Sequence, residues 1–465
     1  MKRVLIFLLI ILIGCSQPIE NNYRENLSST STEHPPTDYD KFNEIKKEID
    51  YWHAKGPRQI GKDHYNQILE RLNGVTNIPS EELDEYRRRL DSIILAEEPK
   101  DPKEKISTQG QPRGNNCENI ETIIFTSPPM RIEDIGFIEP IGLMIGGHVT
   151  PIDHGYYTSK TWKPGDSRED VNQFVDVLSP AAGIITEIAS MPSEYSSSSI
   201  GDYRFEIQHS CSFKTIYIHV NQLSDKLQKA LQNRESVKVE AGEVIGKAPG
   251  FDFSVHDEKI TLKGFIVLEH YEAEPWKVHT VDMFDYFEEP IKSQLLDKNI
   301  RQKMPRGGKL DYDIDGKLVG SWFERGTNWY EGKKEYKRSI GYWKTHLAFA
   351  YDGLDPDLLI VSIGDFKGEA QQFAVKGNAP DFANIDVNNG MIKYELIPWE
   401  YIKNNGERWD RTSFAQITGS TPGSKVKGVV LVQVLEERKI KFETFPDKKA
   451  SEVNEFTDKA KIYER

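Results

Sequence analysis

The 465-residue chain holds only three cysteines, Cys15, Cys117 and Cys211, so it is not a disulfide-stapled scaffold. It has no excess of positive charge: 60 Lys and Arg stand against 73 Asp and Glu, a net charge of −13. That argues against nucleic acid as a partner, which calls for a basic patch. Beyond residue 13 no apolar run approaches the ~20 residues that a membrane-spanning helix needs. The chain has 11 histidines, yet no two of them stand two positions apart, so a His-x-His pair is excluded.

What is present begins at the N-terminus. Lys2 and Arg3 precede an unbroken apolar run over residues 4–13, too short to span a bilayer and suited to the apolar segment of a secretory signal. Leu12-Ile13-Gly14-Cys15 follows at once and resembles the bacterial lipobox. That resemblance implies acylation of Cys15, cleavage before it, and a chain held in a lipid bilayer of a bacterial cell envelope, where several acyl chains anchor stably. Ser16 after the cysteine implies the outer membrane if the host is diderm.

Length predicts two to four domains. After the signal (1–15), residues 16–38 are rich in Asn, Ser, Thr, Glu and Pro and read as a flexible tether. Residues 39–97 show helical spacing, with Phe42, Ile45, Ile49 and Trp52 on one face, Ile68, Leu69 and Leu72 on another, and Leu83, Tyr86, Leu90, Ile93 and Ile94 on a third. Gly74 is a stop and Ser80 an N-cap, so these residues form a helical spacer. Residues 98–116 are a charged linker. From residue 117 short β-like runs alternate with Gly, Pro and Ser clusters, at 121–125, 175–178, 184–188, 205–207 and 214–219, with one helix at 224–232. Residues 301–465 read as a β barrel or sandwich, in the manner of a lipocalin, with strands near 358–363, 371–375, 391–396, 426–434 and 439–444. The fold is therefore mainly β with a small N-terminal helical region. Residues 311–318 (DYDIDGKL) start like a calcium loop, but Trp322 stands where an EF-hand needs Glu, so an Asp-Gly turn is the better reading.

Four segments in order resemble the β core of the lysostaphin (LytM) type zinc metallopeptidases, which cut peptide cross-links in peptidoglycan. They are residues 147–154 (GHVTPIDH), 177–188 (VLSPAAGIITEI), 205–219 (FEIQHSCSFKTIYIH) and 237–246 (VKVEAGEVIG). The resemblance assigns residues 117–300 to that core. It implies zinc held by His148, Asp153 and Asp252, with His154 as a substitute ligand, and His219 as the catalytic acid or base. Zinc accepts nitrogen and carboxylate oxygen alike.

The departures bear on activity. His148 and Asp153 are five apart where the family has four, so on a strand they need a β-bulge near Pro151 to share a face. Where the family has its late His-x-His, this chain has Gly250 and Asp252, so one proton-handling group is missing. Two readings stand side by side: a zinc hydrolase acting on cell-wall peptides, and a silent relative that binds peptidoglycan or an envelope protein. Cys117 and Cys211 are either disulfide-bonded or two free buried thiols.

Overall fold

The computed structural model describes residues 38, 39, 41–43, 45, 46, 49, 62–91, 123–162, 170–191, 200–334 and 341–465. The signal, the linker, almost all of the tether, Cys15, Cys117, Trp52, Ile93 and Ile94 lie outside the described residues. No helix among the described residues is long and apolar enough to cross a membrane.

The chain divides into two compact units, Ile19–Asn115 and Asn116–Arg465. The first is helical. Its α1 (Lys62–Asn73) ends where Gly74 donates its backbone N–H to Glu70 O at 3.0 Å, and α2 (Ser80–Asp91) carries Glu81 and Glu82 in its first turn, where acidic groups suit the helix dipole. Phe42, Ile45, Ile49, Ile68, Leu72, Tyr86 and Leu90 form its core, which is the apolar spacing read from the sequence.

The second unit is mainly β and holds both the expected peptidase-like core and the C-terminal β region. Ten strands come first: β1 (Ile135–Glu139), β2 (Gly155–Ser159), β3 (Val175–Leu178), β4 (Gly183–Ser190), β5 (Tyr203–Ser210), β6 (Phe213–Val220), β7 (Gln222–Leu223), β8 (Val237–Val239), β9 (Val244–Ala248) and β10 (Gly250–Asp257). Seven of them make one antiparallel sheet in the order β1-β2-β10-β6-β5-β4-β8, while β3, β9 and β7 form a smaller one. Helix α3 (Asp225–Asn233) is capped by Ser224, whose side chain accepts from the Leu227 N–H. Of the run at 121–125, residues 123–125 are described, and they form no strand beyond an isolated bridge of Phe125 with Phe287. Phe125 is fully buried against Phe213, Tyr286 and Phe287, so packing and not a ladder holds it.

The alternation of β10 positions the site. Phe251, Phe253 and Val255 enter the main core with Tyr157 and Tyr217. Asp252, Ser254 and His256 face the other side and are buried there too. That side is roofed by a 3-10 turn, Pro275–His279, pinned to β10 because Trp276 O meets His256 Nδ1 at 3.0 Å.

The remaining strands build a barrel. They are β11 (Gly320–Glu324), β12 (His346–Tyr351), β13 (Leu359–Phe366), β14 (Glu369–Val375), β15 (Met391–Ile397), a separate hairpin of β16 (Trp399–Lys403) and β17 (Ile417–Pro422), then β18 (Gly428–Glu436), β19 (Lys439–Pro446) and β20 (Lys461–Glu464). The closed order is β11-β12-β13-β14-β15-β18-β19-β20. Its inside is packed with Trp322, Phe349, Phe373, Phe382, Tyr394, Val430, Val432 and Phe442. The DYDIDG stretch is a turn whose three carboxylates have separate protein partners: Asp311 accepts from Gly264 N–H, Asp313 from Ser321 N–H, and Asp315 pairs with Arg438.

Sheet and barrel share apolar contacts. Phe137 of β1 meets Trp409 edge-on at 5.9 Å, in a cluster that also holds Leu143, Ile152, Leu354 and Tyr401. Gln372 of β14 donates to Gly146 O at 3.0 Å, and Gly147 lies against the ring of Trp343, so the barrel side braces the loop that carries His148.

Candidate functional site

His148, Asp153 and His154 precede β2, which begins at Gly155. The alternation argument for a bulge therefore does not apply, because neither His148 nor Asp153 lies on a strand. Instead Ile145 and His148 exchange both backbone hydrogen bonds in a tight turn, and Gly142 N–H and Ile152 N–H bind across the loop. That loop folds His148 back so that its ring meets the His154 ring at 5.3 Å, edge to face.

From there a chain of alternating carboxylates and imidazoles runs through the site. Asp153 Oδ1 meets His154 Nδ1 at 3.2 Å. His154 Nε2 stands 3.4 Å from Asp252 Oδ2 and has no hydrogen-bond partner. The same Asp252 oxygen is 3.7 Å from His219 Nε2, and His219 Nδ1 meets Asp202 at 3.0 and 3.1 Å. His219, the penultimate residue of β6, has φ of 67°, a left-handed conformation that is costly for a non-glycine residue. Asp153, His154, Asp202 and Asp252 are all at most 7% exposed, whereas the His219 side chain keeps 22%.

Three residues that the sequence reading did not single out complete this cluster. Asp202 precedes β5 and orients His219. Trp276 Nε1 donates to Asp153 Oδ2 at 2.9 Å. Lys277, 1% exposed, donates to Pro151 O at 2.9 Å, lies 4.0 Å from Asp153 Oδ1 and sits 5.2 Å above the Tyr330 ring. No local pattern marks them: a Trp-Lys pair and an Asp after glycine are ordinary loop residues until the turn folds over β10.

The electrostatics follow from burial and these partners. Burial alone would raise the Asp153 carboxyl, but Lys277, the His154 hydrogen bond and the neighbouring imidazoles hold it well below the usual carboxylate range. Burial pulls His154 down, yet the charges of Asp252 and Asp153 prevail and raise it above its ordinary value. His148 goes the other way, to about 3, through burial with the positive charges of His154 and Lys277 beside it. His256, aligned near the family motif but out of register, bonds Ser254 Oγ at 2.7 Å and is pushed to about 4 by burial. His209 is structural, held between Ala182 O and Thr215 Oγ1.

Gly250 occupies the position of the family's first late histidine. A Cβ there would stand 2.9 Å from Tyr157 O on the paired β2, so the strand pairing leaves no room for a side chain. As for metal, both Asp153 oxygens already face protein donors, and among the described residues no group of three His, Cys, Asp or Glu side chains is arranged to hold a metal ion. The residues present do not fit the zinc centre that the resemblance implies. Cys211, in the turn between β5 and β6, is disulfide-bonded; the other two cysteines lie outside the described residues.

No protein-family model matches the chain. No curated protein matches it either. A solved structure described as the SpoIIQ-SpoIIIAH pore forming complex is similar over 37% of this chain and 96% of that one, at 12% identity and a TM-score of 0.23, a likeness too slight to say what this chain does.

Proposed function

We propose that this chain is a lipid-anchored protein of a bacterial cell envelope whose metallopeptidase-like core binds an envelope partner and does not hydrolyse peptidoglycan. The anchor rests on residues 12–15 and the core on the four ordered segments. One observation carries the non-hydrolytic reading: the Pro275–His279 turn closes over the carboxylates and engages Asp153 with Trp276. Groups so buried are poorly placed to meet a peptide bond, and the glycine at position 250 leaves one proton-transfer partner missing.

A zinc hydrolase is the second reading, and one feature favours it. Two imidazole Nε2 atoms face the same Asp252 oxygen, and each ring has its Nδ1 on a carboxylate, the arrangement by which metal-binding histidines are oriented.

The test is incubation of the mature protein with purified peptidoglycan, with and without added zinc, while released fragments are followed chromatographically. We expect none above the rate without protein. Cleavage that disappears in His219→Ala establishes the hydrolase instead. In cells, labelled fatty acid should enter the wild-type chain and not Cys15→Ala; equal labelling of both sinks the anchor.

A further inference from the structure

We infer that Lys277 supplies, from within the chain, the positive charge that a metal ion supplies in the active peptidases, so that this core is built to be metal-free. The inference deepens the non-hydrolytic reading of the same site and rests on it.

Two carboxylates, Asp153 and Asp252, are buried here, at 6% and 5% exposure. Buried carboxylates persist only where cations or donors compensate them. The Pro275–His279 turn brings both kinds of compensation on successive residues: an indole N–H onto Asp153 Oδ2 and an ammonium 4.0 Å from Asp153 Oδ1. The ammonium is fixed by Pro151 O and the Tyr330 ring, so it is not a mobile surface lysine that happens to lie near.

The turn itself is held from several sides. His256 Nδ1 lies 3.0 Å from Trp276 O and 3.2 Å from Thr280 Oγ1, and Arg204 and Lys214 lie against the Trp276 ring at 4.9 and 5.6 Å. A divalent ion placed among Asp153, His154 and Asp252 would meet this fixed ammonium at close range, in surroundings with little water to screen the repulsion. Removing the lysine charge should therefore convert the cluster from metal-excluding to metal-accepting, with Asp153 Oδ1, Asp252 and His154 becoming available to a dication.

The experiment uses the full mature chain and zinc itself. Metal content after purification is measured by mass spectrometry, and thermal unfolding is followed with and without zinc for the wild type, Lys277→Met and Lys277→Met/Asp153→Asn. The wild type should carry far less than one zinc per chain, with a Tm that zinc leaves unmoved. Lys277→Met should unfold at lower temperature, recover part of that loss with zinc, and lose the recovery when Asp153→Asn is added. One zinc per wild-type chain, or a wild-type Tm that zinc raises, overturns the inference even if no variant folds. So does a folded Lys277→Met that remains indifferent to zinc. The two readings fail separately: zinc held without peptidoglycan cleavage defeats the Lys277 inference alone, and zinc held with cleavage defeats both.

Discussion

Single residues decide how the site loop is shaped. Gly142 has φ of 88°, and a Cβ there would stand 2.0 Å from Lys309 O. The position therefore excludes every side chain on two counts, conformation and space. Its N–H bonds Ile152 O at 2.8 Å, which closes the loop that carries His148 and leads into Asp153. Gly142→Ala should cost roughly 1–3 kcal/mol, the range for a strained left-handed residue before any backbone shift. The midpoint of urea unfolding checks this, and an unchanged midpoint would show that the loop relaxes freely. At this scale the sequence was partly readable. His148, Asp153, His154, His219 and Asp252 were all named from the motifs, and contacts link them in one place. Lys277, Trp276 and Asp202 were not, because their roles arise from a turn folding across a sheet, and nothing within a few residues of them encodes that.

Elements were more legible than their pairing. The alternation in Phe213–Val220 and Lys439–Pro446 and the continuous apolar run in Gly428–Glu436, buried on both faces, marked strands directly. Residues 123–125, the described part of the run at 121–125, differ for the opposite reason: an apolar run can be buried by packing alone, and Phe125 is. Closure of the barrel was out of reach, since alternation says which face is buried and not which strands are neighbours. The residue that argued against a calcium loop turns out to anchor the barrel. Trp322 is fully buried, donates Nε1–H to Leu318 O at 2.9 Å, and lies 4.0 Å below the Arg465 guanidinium. Trp322→Ala should cost about 3–5 kcal/mol by leaving a large cavity inside a closed wall. Tryptophan fluorescence alone would be ambiguous after that substitution, so far-ultraviolet circular dichroism against denaturant is the proper measurement; a loss under about 1 kcal/mol would mean the barrel repacks.

The whole molecule carries buried histidines whose titration sets its response to acid. Burial lowers His209 and His256 to about 4 and His346 to about 3. Each is kept neutral in the folded chain and charges readily once unfolded, so its contribution is present above about 6.5 and is lost as the pH falls toward 4. Burial raises Glu139 to about 7 and Asp313 to about 6, and these act in the opposite sense, favouring the folded chain as the pH drops below 7. Asp282 and Asp352 are raised as well, but His148 and His346, both at about 3, are shifted furthest of these groups, and burial lowers His270 to about 4 beside them. Stability should fall between pH 6.5 and 4, readable as a lower urea midpoint at pH 4.5 than at pH 7; a higher midpoint at pH 4.5 would show that the raised carboxyls dominate.

The barrel has no edge strand, and the open sheet guards both of its own. At one end β8 is three residues long with Lys238 exposed. At the other, Ile138 of β1 already accepts from the Ile300 N–H on its outer side. Short, charged or covered edges refuse further strands. A foreign β-strand therefore finds no free edge on the barrel and little to pair with at either edge of the seven-stranded sheet. Recognition through these two sheets is thereby left to side chains and loop shape, and copies at high local concentration are kept from zipping together along those edges.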